Sequence, residues 1–166
     1  MRAGVALGAN LGDRLTTLRA ARERIRRLPE VRPPIISSTI YETEPIGCEP
    51  GATPFLNAVV EFDFDGDPAG LLRELRGVEI AFGREAEHEP NRSRTLDLDL
   101  LYCGDREVQT AALQLPHSRI GERRFVLEPL ADLRPELVLP GLTSPVKTML
   151  AELPASPAVV RSREQW

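Results

Sequence analysis

The chain opens on a short apolar run, Met1 to Gly8, which is too short for a secretory leader and reads as a first strand. The turn Ala9-Asn10-Leu11-Gly12-Asp13 follows it. Leu15, Leu18, Ala21, Ile25 and Leu28 then recur at helical spacing, and Pro29 ends that helix. The β-branched stretch Ile35 to Thr43 reads as one strand. Glu44 to Pro54 holds three prolines and two glycines and must be a loop, of a length that in compact domains often serves function.

Phe55 to Phe64 is the most legible strand. A period of two sends Leu56, Ala58, Val60, Phe62 and Phe64 to a core face. Phe55, Asn57, Val59, Glu61 and Asp63 take the other, where an aromatic beside an amide suits a pocket wall. Asp67-Pro68 supplies an N-cap and a first-turn proline for a helix striped by Leu71, Leu75, Val78 and Phe82. Gly83 ends it. A second long loop runs from Arg84 to Ser93, and Thr95 to Tyr102 reads as a strand. Gly104-Asp105 reads as a hairpin turn with a return strand near Glu107 to Thr110. Beyond Pro116-His117 come a short helix or turn to Arg123, the apolar run Phe125-Val126-Leu127, a strand at Leu137–Leu139 and a helix from Ser144 to Leu153. Strands and helices mixed with hairpins predict an α+β fold with helices packed on an antiparallel or mixed sheet.

Length and composition add constraints. The 166 residues suit one domain, and 42% hydrophobic with 28% charged residues is a globular balance. No apolar run approaches the ~18 residues of a membrane span. A net charge of −4 argues against nonspecific nucleic-acid binding. Cys48 and Cys103 form neither a disulfide framework nor a zinc motif, so reduced thiols and a cytoplasmic location are expected. Lys147 is the only lysine, so the positive charge is nearly all arginine, the side chain whose planar fork suits phosphate.

The candidate chemistry centres on Leu96-Asp97-Leu98-Asp99-Leu100-Leu101. Alternation places both aspartates on one strand face. There they are either solvated charges or ligands of a hard cation such as magnesium. Arg84, Arg92 and Arg94 lead into this strand, and Arg119, Arg123 and Arg124 follow His117. Acidic pairs ringed by arginine have the composition of a triphosphate site. The glycines of Gly8 to Asp13 lack both the dinucleotide spacing and a Walker lysine, and read as a tight strand-to-helix turn.

In order along the chain, several blocks resemble the 6-hydroxymethyl-7,8-dihydropterin pyrophosphokinase family. They are Gly8-Ala9-Asn10-Leu11-Gly12-Asp13, Tyr41-Glu42-Thr43-Glu44-Pro45-Ile46-Gly47, Phe55-Leu56-Asn57-Ala58, Glu79 with Gly83-Arg84, Arg94 to Leu101, Pro116-His117, and Arg123 to Leu130. The resemblance implies one pyrophosphokinase domain over residues 1–166, on a largely antiparallel, ferredoxin-like sheet with helices on both sides. It implies transfer of pyrophosphate from ATP to a reduced pterin in folate biosynthesis, by a protein expected to be a monomer.

The resemblance also implies roles. Asp97 and Asp99 would hold two Mg2+ ions, with Arg84 and Arg94 assisting catalysis. Glu79, Arg94, Leu100, His117 and Arg123 would bind ATP. Phe55 and Phe125 would sandwich the pterin, Asn57 would read its edge, and Thr43, Glu44 and Ile46 would contribute a loop. The chain departs from the family pattern at Ala86, where a second arginine is common, at Asn91-Arg92-Ser93, and at Ser118, where a tyrosine is common.

Overall fold

A computed structural model describes residues 1–45, 51–83 and 94–166. Residues 46–50 of the first long loop, with Ile46, and the whole of the second, 84–93, with Arg84, Ala86 and Asn91-Arg92-Ser93, lie outside the described residues.

Strand β1 (Arg2–Ala9) buries Ala3, Val5, Leu7 and Ala9 on one face and carries the small Gly4, Ala6 and Gly8 on the other. Helix α1 (Arg14–Ile25) starts where the Asp13 carboxylate accepts from the Thr16 N–H at 3.0 Å, and it buries Leu18, Ala21 and Ile25. The single strand expected from Ile35 to Thr43 is two, β2 (Val31–Ser37) and β3 (Tyr41–Thr43). Ser38 breaks it: its Oγ accepts from the Val59 N–H at 2.9 Å, a bond a continuous ladder would give to backbone. The register accordingly moves by one residue between Ser37↔Val60 and Tyr41↔Asn57.

Strand β4 spans Phe55–Phe64, the range its alternation predicted. Its expected outer face is covered too: Val59 packs in a second apolar cluster and Glu61 is buried. Helix α2 (Pro68–Ala81) is capped by Asp67, which accepts from the Gly70 N–H, and it stops before Gly83 at φ +90°. Strand β5 (Asp97–Cys103) pairs antiparallel with β1, with a register shift between Gly4 and Val5 that leaves Leu101 as an extra residue. That bulge puts both Leu101 and Tyr102 in the second apolar cluster, whereas strict alternation would have parted them.

The return strand, β6 (Val108–Gln109), pairs with β7 (Gln114–Leu115) and not with β5. A 3-10 turn at Ile120–Glu122 leads into α3 (Arg124–Leu133), which takes up the Phe125-Val126-Leu127 run. Leu137–Leu139 is not a strand; Leu139 is buried there in irregular chain. Helix α4 (Val146–Glu152) and β8 (Val159–Arg161) follow, and β8 adds an edge strand beside β3 that the sequence pattern did not predict.

The sheet order is β5-β1-β4-β3-β8, with β2 also on β4. Two interlocked strand–helix–strand units, β1-α1-β2 and β4-α2-β5, give the ferredoxin-like arrangement. Helices α1 and α2 cover one face, and α3 and α4 the other, each over its own apolar cluster.

Candidate active site

The floor of the site is written in the strand register. Gly8 pairs with Asn57 on one side and Asp97 on the other, so the three form one row across the sheet. The next row is Val59, Ala6 and Asp99. A cavity of about 20 Å³ lies over these rows, lined by Gly8, Asn57, Asp97, Asp99, Phe125 and Val126 with their neighbours. A second, open cleft of about 230 Å³ is lined by Leu72, Arg76, Leu98, Leu100, Leu113 and His117, among others. Asp99 lines both, and among the described residues no other does.

Both carboxylates are paired with guanidinium groups. Arg94 Nη1 donates to Asp97 Oδ1 at 2.7 Å, and Arg123 Nη1 donates to Asp99 Oδ2 at 2.6 Å. These are short, charge-assisted bonds between half-buried partners, and they offset the repulsion of two like charges on one strand face. His117 Nε2 lies 3.9 Å from Asp99 Oδ2. Its Nδ1 accepts from the Arg119 backbone N–H at 3.2 Å, which assigns the proton of the neutral ring to Nε2, on the Asp99 side. Burial pushes the imidazole below its ordinary range, while the Asp99 carboxylate pulls the other way.

Supporting contacts set the positions of these groups. The buried Asn57 donates from Nδ2 to Thr43 Oγ1 at 2.8 Å, which leaves Oδ1 beside Gly8. Glu79 is buried, and its Oε1 accepts from the Leu98 N–H at 2.8 Å, between the two aspartates in sequence. Asn10, whose place in the sequence marks a turn within one of the family-like blocks, is fully buried and ties three segments together. Its Oδ1 accepts from the Arg94 N–H at 2.7 Å, and its Nδ2 donates to the Thr53 carbonyl at 3.3 Å. An asparagine in a tight turn has no periodicity to betray such a role.

Of the residues singled out by sequence, Asp97, Asp99, Asn57 and Phe125 line the first cavity, and Leu100, His117 and Asp99 the second cleft. Arg94 and Arg123 reach the aspartates. Phe55 is not on the cavity wall but flanks Gly8. Thr43 acts through Asn57, Glu79 faces backbone, and Glu44 is exposed at the end of β3.

The 7,8-dihydro-6-hydroxymethylpterin-pyrophosphokinase (HPPK) family matches residues 4–135. A 2-amino-4-hydroxy-6-hydroxymethyldihydropteridine pyrophosphokinase of Methylorubrum extorquens is 38% identical over 155 residues, 93% of this chain and 95% of that protein. The enzyme of the same name from Bacillus subtilis is 41% identical over 129 residues, 78% of this chain and 75% of that one. Among solved structures, an HPPK-DHPS chain in complex with substrates superposes with a TM-score of 0.71 at 13% identity. Plasmodium falciparum HPPK-DHPS with pterin and p-hydroxybenzoate gives 0.68 at 14%. Each superposition covers 90% of this chain and 42% of the other, so the chain spans about two fifths of those proteins; at such identity the likeness is one of fold.

Proposed function

The chain belongs to the 7,8-dihydro-6-hydroxymethylpterin-pyrophosphokinase family, and from that premise we propose that it transfers the β,γ-pyrophosphoryl group of ATP to 6-hydroxymethyl-7,8-dihydropterin, leaving AMP, in folate biosynthesis. The observation that best supports this reading is the place of Asp99 in a wall shared by two clefts. Two substrates that exchange a charged group need adjoining sites with a charge-handling residue between them.

On the acceptor side, Asn57 Oδ1 faces the row of Gly8 and Asp97, ready to accept from the amino and N–H donors on a pterin edge. Phe125 stands over the same cavity, and Phe55 flanks it, as partners for a flat ring. On the nucleotide side, Leu72, Leu98, Leu100 and Leu113 offer an apolar floor for a base. The Nε2–H of His117 and the guanidinium groups of Arg94 and Arg123 are donors for the phosphates.

Magnesium fits the aspartates. Among the described residues no cluster of three or more His, Cys, Asp or Glu side chains could hold a metal unaided. Two carboxylates on one strand face instead match the usual magnesium shell, which is completed by phosphate oxygens and waters. Asp97 and Asp99 would hold two ions jointly with ATP, and the ions when bound offset the triphosphate charge. Arg94 and Arg123 then exchange their carboxylate partners for phosphate oxygens. The pterin hydroxyl oxygen attacks the β-phosphorus in line as the bond from that phosphorus to the AMP oxygen breaks, and the hydroxyl proton passes to water.

No helix among the described residues is long and apolar enough to cross a membrane; a cytoplasmic monomer is part of this proposal. Incubation with ATP, Mg2+ and the hydroxymethyl dihydropterin tests it. AMP should form only when the pterin is present, and ADP as the product would overturn the reading.

A further inference from the structure

Phe125 and Asn57 line the same cavity from different elements. Phe125 stands in the first turn of α3, whose start carries no side-chain cap, and it is 37% exposed. Asn57 stands on β4, with its amide oriented by the hydrogen bond from Nδ2 to Thr43 Oγ1 on β3. The gap between them therefore depends on how α3 is fixed over β3 and β4. Burial of Val126, Leu127 and Leu130 sets the height of the helix, but apolar burial is non-directional. Direction comes from polar ties.

Asp132 supplies those ties. Its largely buried carboxylate accepts from Tyr41 Oη at 3.1 Å, from the Thr39 N–H at 3.2 Å and from Arg161 Nη2 at 2.8 Å. One side chain of α3 thus holds the link before β3, β3 itself and the edge strand β8. The Arg161 guanidinium also lies 5.8 Å from the centroid of the Tyr41 ring. Burial and the Asp132 charge raise the Tyr41 phenol above its ordinary range, which keeps it a proton donor.

Periodicity carries this tie to the cavity at both ends. Asp132 is two helical turns from Phe125, so the two share a face of α3 roughly 10 Å apart. Tyr41 is two positions from Thr43, so these share a face of β3 roughly 7 Å apart. Tyr41 is also the register partner of Asn57. The bond between Tyr41 and Asp132 closes a frame that runs from Phe125 along α3, across to β3 and through Thr43 to Asn57.

We propose that Tyr41 and Asp132 are positioning residues for the acceptor: neither lines the cavity, and their bond fixes the gap between Phe125 and Asn57. This rests on the pterin assignment above, but it concerns binding rather than transfer. The experiment compares wild type with Tyr41→Phe, Asp132→Ala and the double variant. Trp166→Ala serves as a control that loses stability away from both clefts. Fluorescence titration with 6-hydroxymethylpterin, titration with Mg-ATP, thermal melting and the AMP assay are run on each. Each single variant at the frame should weaken pterin binding about fivefold, and the double no more than the larger single, because the two share one bond. Both should raise the KM for pterin more than they lower kcat, with Mg-ATP affinity within twofold of wild type. Trp166→Ala should melt earlier and bind the pterin as wild type does. Pterin affinity of Tyr41→Phe within twofold of wild type would overturn the proposal. So would additive losses in the double variant, an equal loss of Mg-ATP affinity, or weakened pterin binding in Trp166→Ala. A wild type that binds the pterin yet makes no AMP removes the transfer reaction alone, and the affinities still decide this inference. A wild type that binds no pterin removes both.

Discussion

Arg123 and Asp99, 24 positions apart in sequence, meet through one short hydrogen bond, Nη1 to Oδ2 at 2.6 Å. The bond places the cation of the segment before α3 against the acid of β5. A metal ion held by Asp99 would therefore compete with Arg123 for the same carboxylate. Arg123→Ala should strengthen Mg2+ binding to the nucleotide-free protein by roughly fivefold, because a half-buried charged bond no longer has to be broken. The same change should lower turnover about 100-fold by removing a phosphate donor. Calorimetric Mg2+ titration together with an AMP assay reads both effects, and a variant with weaker Mg2+ binding would contradict the competition.

Asp97→Ala and Asp99→Ala should each abolish measurable turnover while preserving the circular dichroism spectrum. Both side chains are partly exposed and sit outside the two apolar clusters. Near-wild-type activity in either would remove the metal-ligand assignment.

Stability should respond to pH through His117, whose pKa burial lowers from the free value of 6.5. The unfolded chain then binds the proton first as pH falls below about 6.5, so folded stability drops in that window and is fully present above it. His117→Gln should flatten the melting temperature between pH 7.5 and 5.5 relative to wild type. An unchanged slope would show that the ring does not carry this dependence.

The buried Glu61 accepts from Tyr102 Oη at 2.5 Å and from Arg134 Nε and Nη2 at 2.9–3.1 Å. Glu61→Ala leaves the phenol and the guanidinium without their acceptor. We expect a loss of about 2–4 kcal/mol in urea denaturation, toward the lower end because Arg134 keeps contact with water. Tyr102→Phe removes only one bond and should cost about 1 kcal/mol.

Trp166 Nε1 donates to the Ser38 carbonyl at 2.6 Å, and the Arg22 guanidinium lies 4.7 Å from its ring centroid. Trp166→Ala should lower stability by about 1–2 kcal/mol, a melting shift of roughly 2–8 °C. The AMP assay should return wild-type rates, since the contact lies away from both clefts.

Legibility in the sequence followed how local the determining contacts are. Strand β4 and helix α2 were readable residue by residue because their period and caps lie within the segment. The split at Ser38 was not, since it depends on a hydrogen bond to Val59 on another strand. The bulge at Leu101 and the pairing of β6 with β7 are likewise settled by neighbours. Strand β8 has only three residues and gains its order from β3. At the site, alternation put Asp97 with Asp99 and Phe55 with Asn57 on shared faces. That Arg123 reaches Asp99, that Asn10 clamps Arg94 and that Gly8 floors the cavity require the folded sheet.

Because Asp99 alone among the described residues lines both clefts, it can couple them without any moving part. Whatever changes its charge environment on one side is felt by an occupant of the other. Linkage makes this reciprocal: the factor by which nucleotide alters acceptor affinity must equal the factor by which acceptor alters nucleotide affinity. Substituting Asp99 should therefore reduce cooperativity between the ligands in both directions at once, whereas Asp97, which of the two clefts lines only the smaller, proposed for the acceptor, should alter one affinity more than the coupling.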